Sequence, residues 1–111
     1  MSKEDVLAKF QKIWEKEEYS RNENGWYLYE DLRENTKNLM TNDREGVIEA
    51  VRCWLLLREV GRTEMAMGLA KDLTLKELKP DIEKVREDII ARRYYPAPDT
   101  YWADCALKAL E

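Results

Sequence analysis

The residues of this chain that could carry out chemistry are mainly carboxylates, because its 111 residues include no histidine and only two cysteines. Without imidazole the chain has no Ser-His-Asp or Cys-His nucleophilic centre and no His-ligated zinc site. Cys53 and Cys105 are too few to bind zinc by themselves. No glycine-rich phosphate-binding loop occurs either. We therefore expect a protein that is not an enzyme and that has no cofactor and no metal site.

Pairs of glutamates spaced four residues apart include Glu30 with Glu34 and Glu83 with Glu87. This spacing places both members of a pair on one face of a helix. Such carboxylates can bind a divalent cation or act as acid and base. Basic residues are interspersed in both segments, however, and mixed charge is typical of a solvated helix face. We predict neither a metal site nor a catalytic site at either pair.

A basic and aromatic cluster, Arg92-Arg93-Tyr94-Tyr95, offers another kind of chemistry, since such residues can follow a nucleic-acid strand. Cations in the last turn of a helix also complement its dipole, and tyrosines pack well at a bend. The formal net charge of −4 argues against general nucleic-acid binding. We favour the structural interpretation of this cluster.

The segment from Glu15 to Glu34 carries most of the functional signal, because many acidic residues surround Trp26, Tyr27 and Tyr29 there. One small helix cannot easily bury three rings, and exposed Trp and Tyr are typical binding anchors. Acidic residues around them would attract a basic partner. The alternative is that the rings seal the first two helices together. The predicted partner-binding residues are Glu18, Glu23, Trp26, Tyr27, Glu30, Asp31 and Glu34.

The elements that must position these residues are helices, because apolar residues recur at helical spacing and strand-like alternation is absent. Charged residues make up 38 % of the chain and hydrophobic residues 44 %, which is typical of a folded domain. We predict an all-α fold of about six helices in antiparallel pairs, within one domain spanning residues 1–111. The predicted helices run from about Lys3 to Glu18, Trp26 to Met40, Arg44 to Val60, Glu64 to Leu73, Pro80 to Tyr95 and Thr100 to Leu110.

The segment Arg44 to Val60 is the most apolar predicted helix, and we expect it to be covered on two sides. Val47, Ile48, Val51, Trp54 and Leu55 form one apolar side, and Cys53, Leu57 and Val60 form the other.

The predicted ends of this helix follow from local signals. Asn42 and Glu45 fit a capping box at its start. Gly61 fits a left-handed residue after its last turn, and Thr63 fits the cap of the next helix. Arg58 falls on the apolar side, so a buried guanidinium there would need a carboxylate partner.

The expected location is the cytoplasm. The start, MSKEDVLAKFQ, lacks the apolar core of a signal peptide, and the longest apolar run, Cys53 to Leu57, is too short to cross a membrane. Both cysteines have apolar neighbours, so we expect two buried free thiols in a reducing compartment. A disulfide would require the two helices to meet at these positions.

The second half of the chain contains a weak internal repeat. A shift of 34 residues aligns Arg44–Val60 with the helix that follows Pro80, and a shift of 36 aligns the two shorter helices. This pattern resembles HEAT-like helix pairs. The resemblance implies an N-terminal pair at 1–40 and pseudo-repeats at 44–79 and 80–111. The alternative is an irregular helical bundle.

In size, acidity and expected architecture the chain resembles small acidic bacterial immunity proteins. That resemblance implies an inhibitor of a basic toxin domain, often a nuclease, whose phosphate-binding cleft the acidic and aromatic patch would cover. Self-association through the end of the helical array is a further option, because solenoid ends need caps.

The main alternative is a nucleic-acid-binding regulator, because residues 63–85 loosely resemble a helix-turn-helix with Leu75 to Val85 as recognition helix. Pro80 would interrupt that helix, which makes this reading the weaker one.

Overall fold

The structure is a computed structural model, and it describes residues 2–16, 26–93 and 99–111. All regular elements in these ranges are helical, which confirms the predicted all-α fold. None of the helices described is long and apolar enough to cross a membrane. The α-helices are α1 (Lys3–Trp14), α2 (Trp26–Met40), α3 (Arg44–Leu56), α4 (Val60–Asp72), α5 (Lys79–Ile90) and α6 (Tyr101–Ala109), with a 3₁₀ turn at Lys76–Leu78 before α5.

The chain forms two compact units, Met1–Ala50 and Val51–Glu111, and the boundary falls within α3. The first unit contains α1 and α2, and the second contains α4, α5 and α6. The predicted division into one domain with helix pairs at 1–40, 44–79 and 80–111 stays a prediction.

The start of α1 is a capping box formed by Ser2 and Asp5. The Asp5 backbone N–H donates to Ser2 Oγ at 3.3 Å, and the Ser2 N–H donates to Asp5 Oδ2 at 3.1 Å. The predicted end at Glu18 is wrong, since α1 ends at Trp14 and neither Glu15 nor Lys16 is helical. Val6, Phe10 and Ile13 are buried, as their spacing predicts.

The polar residues near the end of α2 do not shorten it, contrary to what their low helix propensity suggests. The helix runs to Met40 because these side chains bond to carbonyls of their own helix. Thr36 Oγ1 donates to the Leu32 carbonyl at 2.7 Å, and Asn35 Nδ2 donates to the Asp31 carbonyl at 2.8 Å. The buried residues of α2 are Leu32, Thr36 and Leu39.

The start of α3 is capped by Asp43 and not by the predicted box of Asn42 and Glu45. The Gly46 N–H donates to Asp43 Oδ1 at 3.0 Å. A Cβ at position 46 would lie only 2.5 Å from Asp43 Oδ2, so the glycine leaves room for the carboxylate. The predicted apolar side of α3 is confirmed, because Val47, Ile48, Val51, Trp54 and Leu55 are all buried.

The end of α3 lies at Leu56, so the prediction that the helix continues to Val60 is wrong. The reason is a hydrogen bond from outside the helix: Thr63 Oγ1 donates to the Trp54 carbonyl at 2.8 Å and accepts from the Glu59 N–H at 2.9 Å. Thr63 is thus a buried residue inside α4 and not its cap. Gly61 also lies within α4, and Arg58 takes the left-handed conformation, with φ of 51°.

In the second unit, α4 and α5 both pack against α6. The segment proposed as a recognition helix is not one continuous helix, because α5 begins only at Lys79 and Pro80 occupies its first turn. The predicted end of α5 at Tyr95 is also wrong, since α5 ends at Ile90 and Tyr94 and Tyr95 lie outside the described residues. The buried residues of this unit's core include Ala66, Leu69, Ala70, Leu75, Leu78, Ile82, Val85, Ile89, Ala103, Ala106 and Leu110.

Several large apolar residues are exposed, including Leu57, which we predicted to be covered. Leu57 lies beyond the last turn of α3 and faces solvent, so the second side of that helix is not sealed. On α6 the buried stripe is made by Ala103, Ala106 and Leu110, which leaves Tyr101 and Trp102 outside it. Cys53 and Cys105 are free thiols, half-buried and not fully buried as expected.

Candidate protein-binding surface

The helix α2 brings three of the predicted partner-binding residues to one face. Tyr27, Glu30 and Glu34 are spaced i, i+3 and i+7, which aligns them along the helix. The Tyr27 ring is 57 % exposed, Glu34 is exposed and Glu30 is half-buried. We call these three residues the α2 face. An exposed ring in line with two carboxylates can stack on a partner, and the carboxylates can attract a basic one.

Asp31 forms an ion pair and a hydrogen bond within its own unit, and the sequence did not predict either contact. Lys16 Nζ lies 2.9 Å from Asp31 Oδ2, and Asn35 Nδ2 donates to Asp31 Oδ1 at 2.7 Å. The lysine neutralises this carboxylate, so Asp31 adds little to the acidity of the α2 face.

Tyr29, a second aromatic residue of α2, makes a cation–π contact with Arg33. The Arg33 guanidinium lies over the Tyr29 ring, 5.7 Å from its centroid, and the same side chain comes to 3.9 Å from Glu34 Oε1. Tyr29 is half-buried, in keeping with the alternative that part of the aromatic cluster packs within the unit.

Three of the predicted residues cannot be placed on this face. Glu18 and Glu23 lie outside the described residues. Trp26 is the first residue of α2, but its side chain lies outside the description.

The carboxylates described do not gather into a metal site. No group of three or more His, Cys, Asp or Glu side chains that could bind a metal occurs within residues 2–16, 26–93 and 99–111.

Arg58 has the carboxylate partner that a partly buried guanidinium requires. Its Nε donates to Asp88 Oδ2 at 2.8 Å, and its Nη1 donates to the Leu55 carbonyl at 2.6 Å. The Arg58 side chain is 20 % exposed. Its hydrogen bond to Asp88, together with Arg93 at 3.1 Å, holds the pKa of that carboxyl below its ordinary value. This ion pair joins the end of α3 to α5.

Two further ion pairs link helices of the second unit. Arg52 on α3 binds Asp81 on α5 at 3.2 Å, and Arg86 on α5 binds Asp104 on α6 at 2.6 Å. Hydrogen bonds from Arg86 and from the Thr100 hydroxyl to the Asp104 carboxylate lower the pKa of Asp104.

Sequence reasoning missed an exposed apolar area in the second unit. Ile90 at the end of α5 and Tyr101 and Trp102 at the start of α6 are all exposed. The signal available was that Ala103 and Ala106 of α6, with Leu110 directly after it, already form an i, i+3, i+7 stripe, which is sufficient for so short a helix.

Comparison with known proteins gave no match: no protein-family model, no curated protein and no solved structure is significantly similar to this chain.

Proposed function

We propose that this chain is a non-enzymatic protein-binding module, and specifically an inhibitor of the immunity type that neutralises a basic toxin domain. The observation that carries the proposal is the α2 face, where an exposed tyrosine lies in line with Glu30 and Glu34. The absence of histidine from the sequence and the net charge of −4 also support it.

The proposed mechanism is occlusion. Tyr27 would stack on the toxin while Glu30 and Glu34 pair with the lysines or arginines that otherwise hold substrate phosphate. Carboxylates aligned along one face of α2 need no rearrangement of the helix to reach such cations. Binding should therefore be fast and should weaken as salt rises.

The decisive experiment uses a toxin domain encoded beside the gene of this chain. The C-terminal domain of an adjacent large exported protein would be purified, and its nuclease activity measured against increasing amounts of the inhibitor. We expect stoichiometric inhibition by the wild type. Tyr27→Ala with Glu34→Lys should weaken inhibition at least about tenfold, since exposed aromatic anchors and steering charges dominate such interfaces.

Glu83→Lys is the matched control, because Glu83 is also an exposed helical glutamate but lies on α5. It should inhibit like the wild type. If Tyr27→Ala with Glu34→Lys inhibits equally well, the α2 face is not the binding surface. Neighbouring genes that encode only metabolic enzymes would contradict the immunity assignment.

The nucleic-acid-binding alternative is tested separately by a gel-shift titration of labelled duplex DNA at low salt. Tight binding that weakens steeply with salt would replace the proposed function. Because the net charge is −4, we expect that the chain does not retard the labelled DNA in the gel.

A further inference from the structure

The exposed side of α2 continues past the α2 face to a lysine. Lys37 is exposed and follows Glu34 by three residues and Glu30 by seven, so it lies on the same side of the helix as both carboxylates. The opposite side of α2 is the buried one, formed by Leu32, Thr36 and Leu39. A partner that lies along the α2 face therefore meets two carboxylates first and then a cation.

The two cations of α2 differ in what surrounds them. The Arg33 guanidinium lies 5.7 Å from the centroid of the Tyr29 ring and 3.9 Å from Glu34 Oε1. The Lys37 ammonium makes no ion pair within the part of the chain that the structure describes. Lys37 lies in the last turn of α2, where a cation complements the helix dipole. That interaction stabilises the helix and leaves the ammonium exposed to a partner.

The spacing along the helix decides which part of a partner this cation repels. A helix rises about 1.5 Å per residue, so Lys37 lies roughly 5 Å from Glu34 and roughly 10 Å from Glu30 along the axis. The screening length at physiological ionic strength is about 8 Å. A partner cation bound to Glu34 is therefore repelled by Lys37, whereas one bound to Glu30 is largely screened from it.

The unit that contains α2 attracts cations as a whole, so the repulsion by Lys37 is a local exception. Residues 1–50 include twelve acidic and eight basic residues, and residues 51–111 include eleven of each. The first unit therefore carries the entire net charge of −4. A partner with a long positively charged surface gains from this attraction, and Lys37 opposes it where that surface covers the end of α2.

We propose that Lys37 is a specificity-determining residue of the α2 face. It repels partners whose positive charge extends along the whole helix, and it leaves a binding site for a compact group of one or two cations beside Tyr27. This inference rests on the proposed function and narrows the class of partner. A compact group of cations is what a cleft for one phosphate presents. Repulsive elements of this kind distinguish partners that attraction alone does not.

The test compares a compact cationic target with an extended one at physiological ionic strength. The compact target is the adjacently encoded toxin domain, measured by inhibition. The extended probe is a fluorescein-labelled peptide of about ten lysines, long enough to cover α2, titrated with the full chain by fluorescence anisotropy. Lys37→Glu should bind the peptide about tenfold more tightly than the wild type, and Lys37→Gln about threefold, because one variant reverses the local charge and the other removes it. Inhibition of the toxin should improve by less than about threefold with either variant, because few of its cations lie near position 37.

Lys12→Glu is the matched control, because Lys12 is an exposed lysine of α1 in the same unit. It makes the same change in the charge of the unit without changing the α2 face. Its affinity for the lysine peptide should rise by no more than about threefold. An increase equal to that of Lys37→Glu would mean that only the net charge matters, and it would overturn the proposal. Circular dichroism of each variant checks that it is folded.

Three further results would overturn it. One is unchanged peptide binding by Lys37→Glu. Another is an equal improvement with the toxin and with the peptide, since Lys37 would then not discriminate between them. The third is weaker inhibition of the toxin by Lys37→Glu, since Lys37 would then bind an anion of the partner.

The peptide titration needs no toxin, so the two proposals fail separately. A wild-type chain that does not inhibit the toxin contradicts the proposed function. Equal increases in peptide affinity for Lys37→Glu and Lys12→Glu, with inhibition of the toxin intact, contradict this inference alone.

Discussion

The segments 51–58 and 85–92 end two helices in the same way but use the final arginine differently. Val51 and Leu55 are buried as Val85 and Ile89 are, and both segments place their last arginine in the left-handed region. At the first end the guanidinium is paired and largely shielded, whereas at the second it is exposed. The contrast shows that a short stretch of chain can specify a helix end, while the contribution of a side chain to stability depends on which neighbour reaches it.

The largest expected difference in stability is between the variants that replace Arg58 and Arg92 by alanine. Arg58→Ala should lower the free energy of unfolding by about 1–3 kcal/mol, because it removes charged hydrogen bonds to Asp88 and to the Leu55 carbonyl. Arg92→Ala should change it by no more than about 0.5 kcal/mol, as exposed substitutions do. Arginine and alanine both carry a Cβ, so neither substitution changes the backbone strain at the positive φ. Urea denaturation measures both values, and equal losses would contradict the contrast.

A glycine at the same positions should stabilise the protein at one helix end and not at the other. Glycine takes the left-handed conformation without steric strain, so Arg92→Gly should stabilise the protein by about 0.5–1 kcal/mol. Arg58→Gly gains the same relief but loses the ion pair, so it should be neutral or destabilising. Thermal melts of the two variants check this, and a destabilised Arg92→Gly would show that Arg92 has a partner in solution.

The ion pair of Arg86 with Asp104 is more exposed than that of Arg58 with Asp88, and it should contribute less. The folded-state pKa of Asp104 is lowered, so its contribution is present above the ordinary value of 3.8 and is lost as the pH falls below it. Asp104→Asn should therefore reduce the melting temperature slightly at pH 7, with the difference vanishing in strong acid. Asp88→Asn should follow the same pH profile with a larger amplitude. If Asp104→Asn still melts below the wild-type temperature in strong acid, the loss of stability is not electrostatic in origin.

The smallest effect is expected in the first turns of α4, at Glu64. Burial, reinforced by the charge of Asp99, raises the pKa of Glu64 above its ordinary 4.5. Ionising this carboxyl therefore costs stability as the pH rises from about 4.5 through the folded-state pKa. Glu64→Gln should raise the melting temperature slightly at pH 7 and leave it unchanged below pH 4.5. A pH-independent gain would mean that packing and not charge is responsible.

Local sequence signals were sufficient for most of the helices. The apolar spacing predicted one buried side of α3, and the predicted starts of α1, α2 and α3 agree with the structure. These features depend on residues within one or two turns of each other, which is why a sequence shows them. The Tyr27 side of α2 belongs to the same class, since i, i+3 and i+7 spacing alone aligns it with Glu30 and Glu34.

Hydrogen bonds and ion pairs between distant residues decided the rest. Thr63 caps the Trp54 carbonyl and ends α3 before Arg58, which moves Gly61 into α4. Lys16 neutralises Asp31, fifteen positions away, and removes it from the acidic surface. These contacts join residues that no periodicity relates, so only the tertiary structure selects them.

The sequence by itself determined the helical class, the buried stripes and a chain without histidine, because these follow from composition and spacing. Tertiary structure alone decided where α3 stops, which arginine is paired and which apolar residues stay exposed at the ends of α5 and α6. The physical reason is that the fold decides which side chain lies against each group. That neighbour determines whether a carbonyl accepts a hydrogen bond, a guanidinium has an anion and a ring is buried.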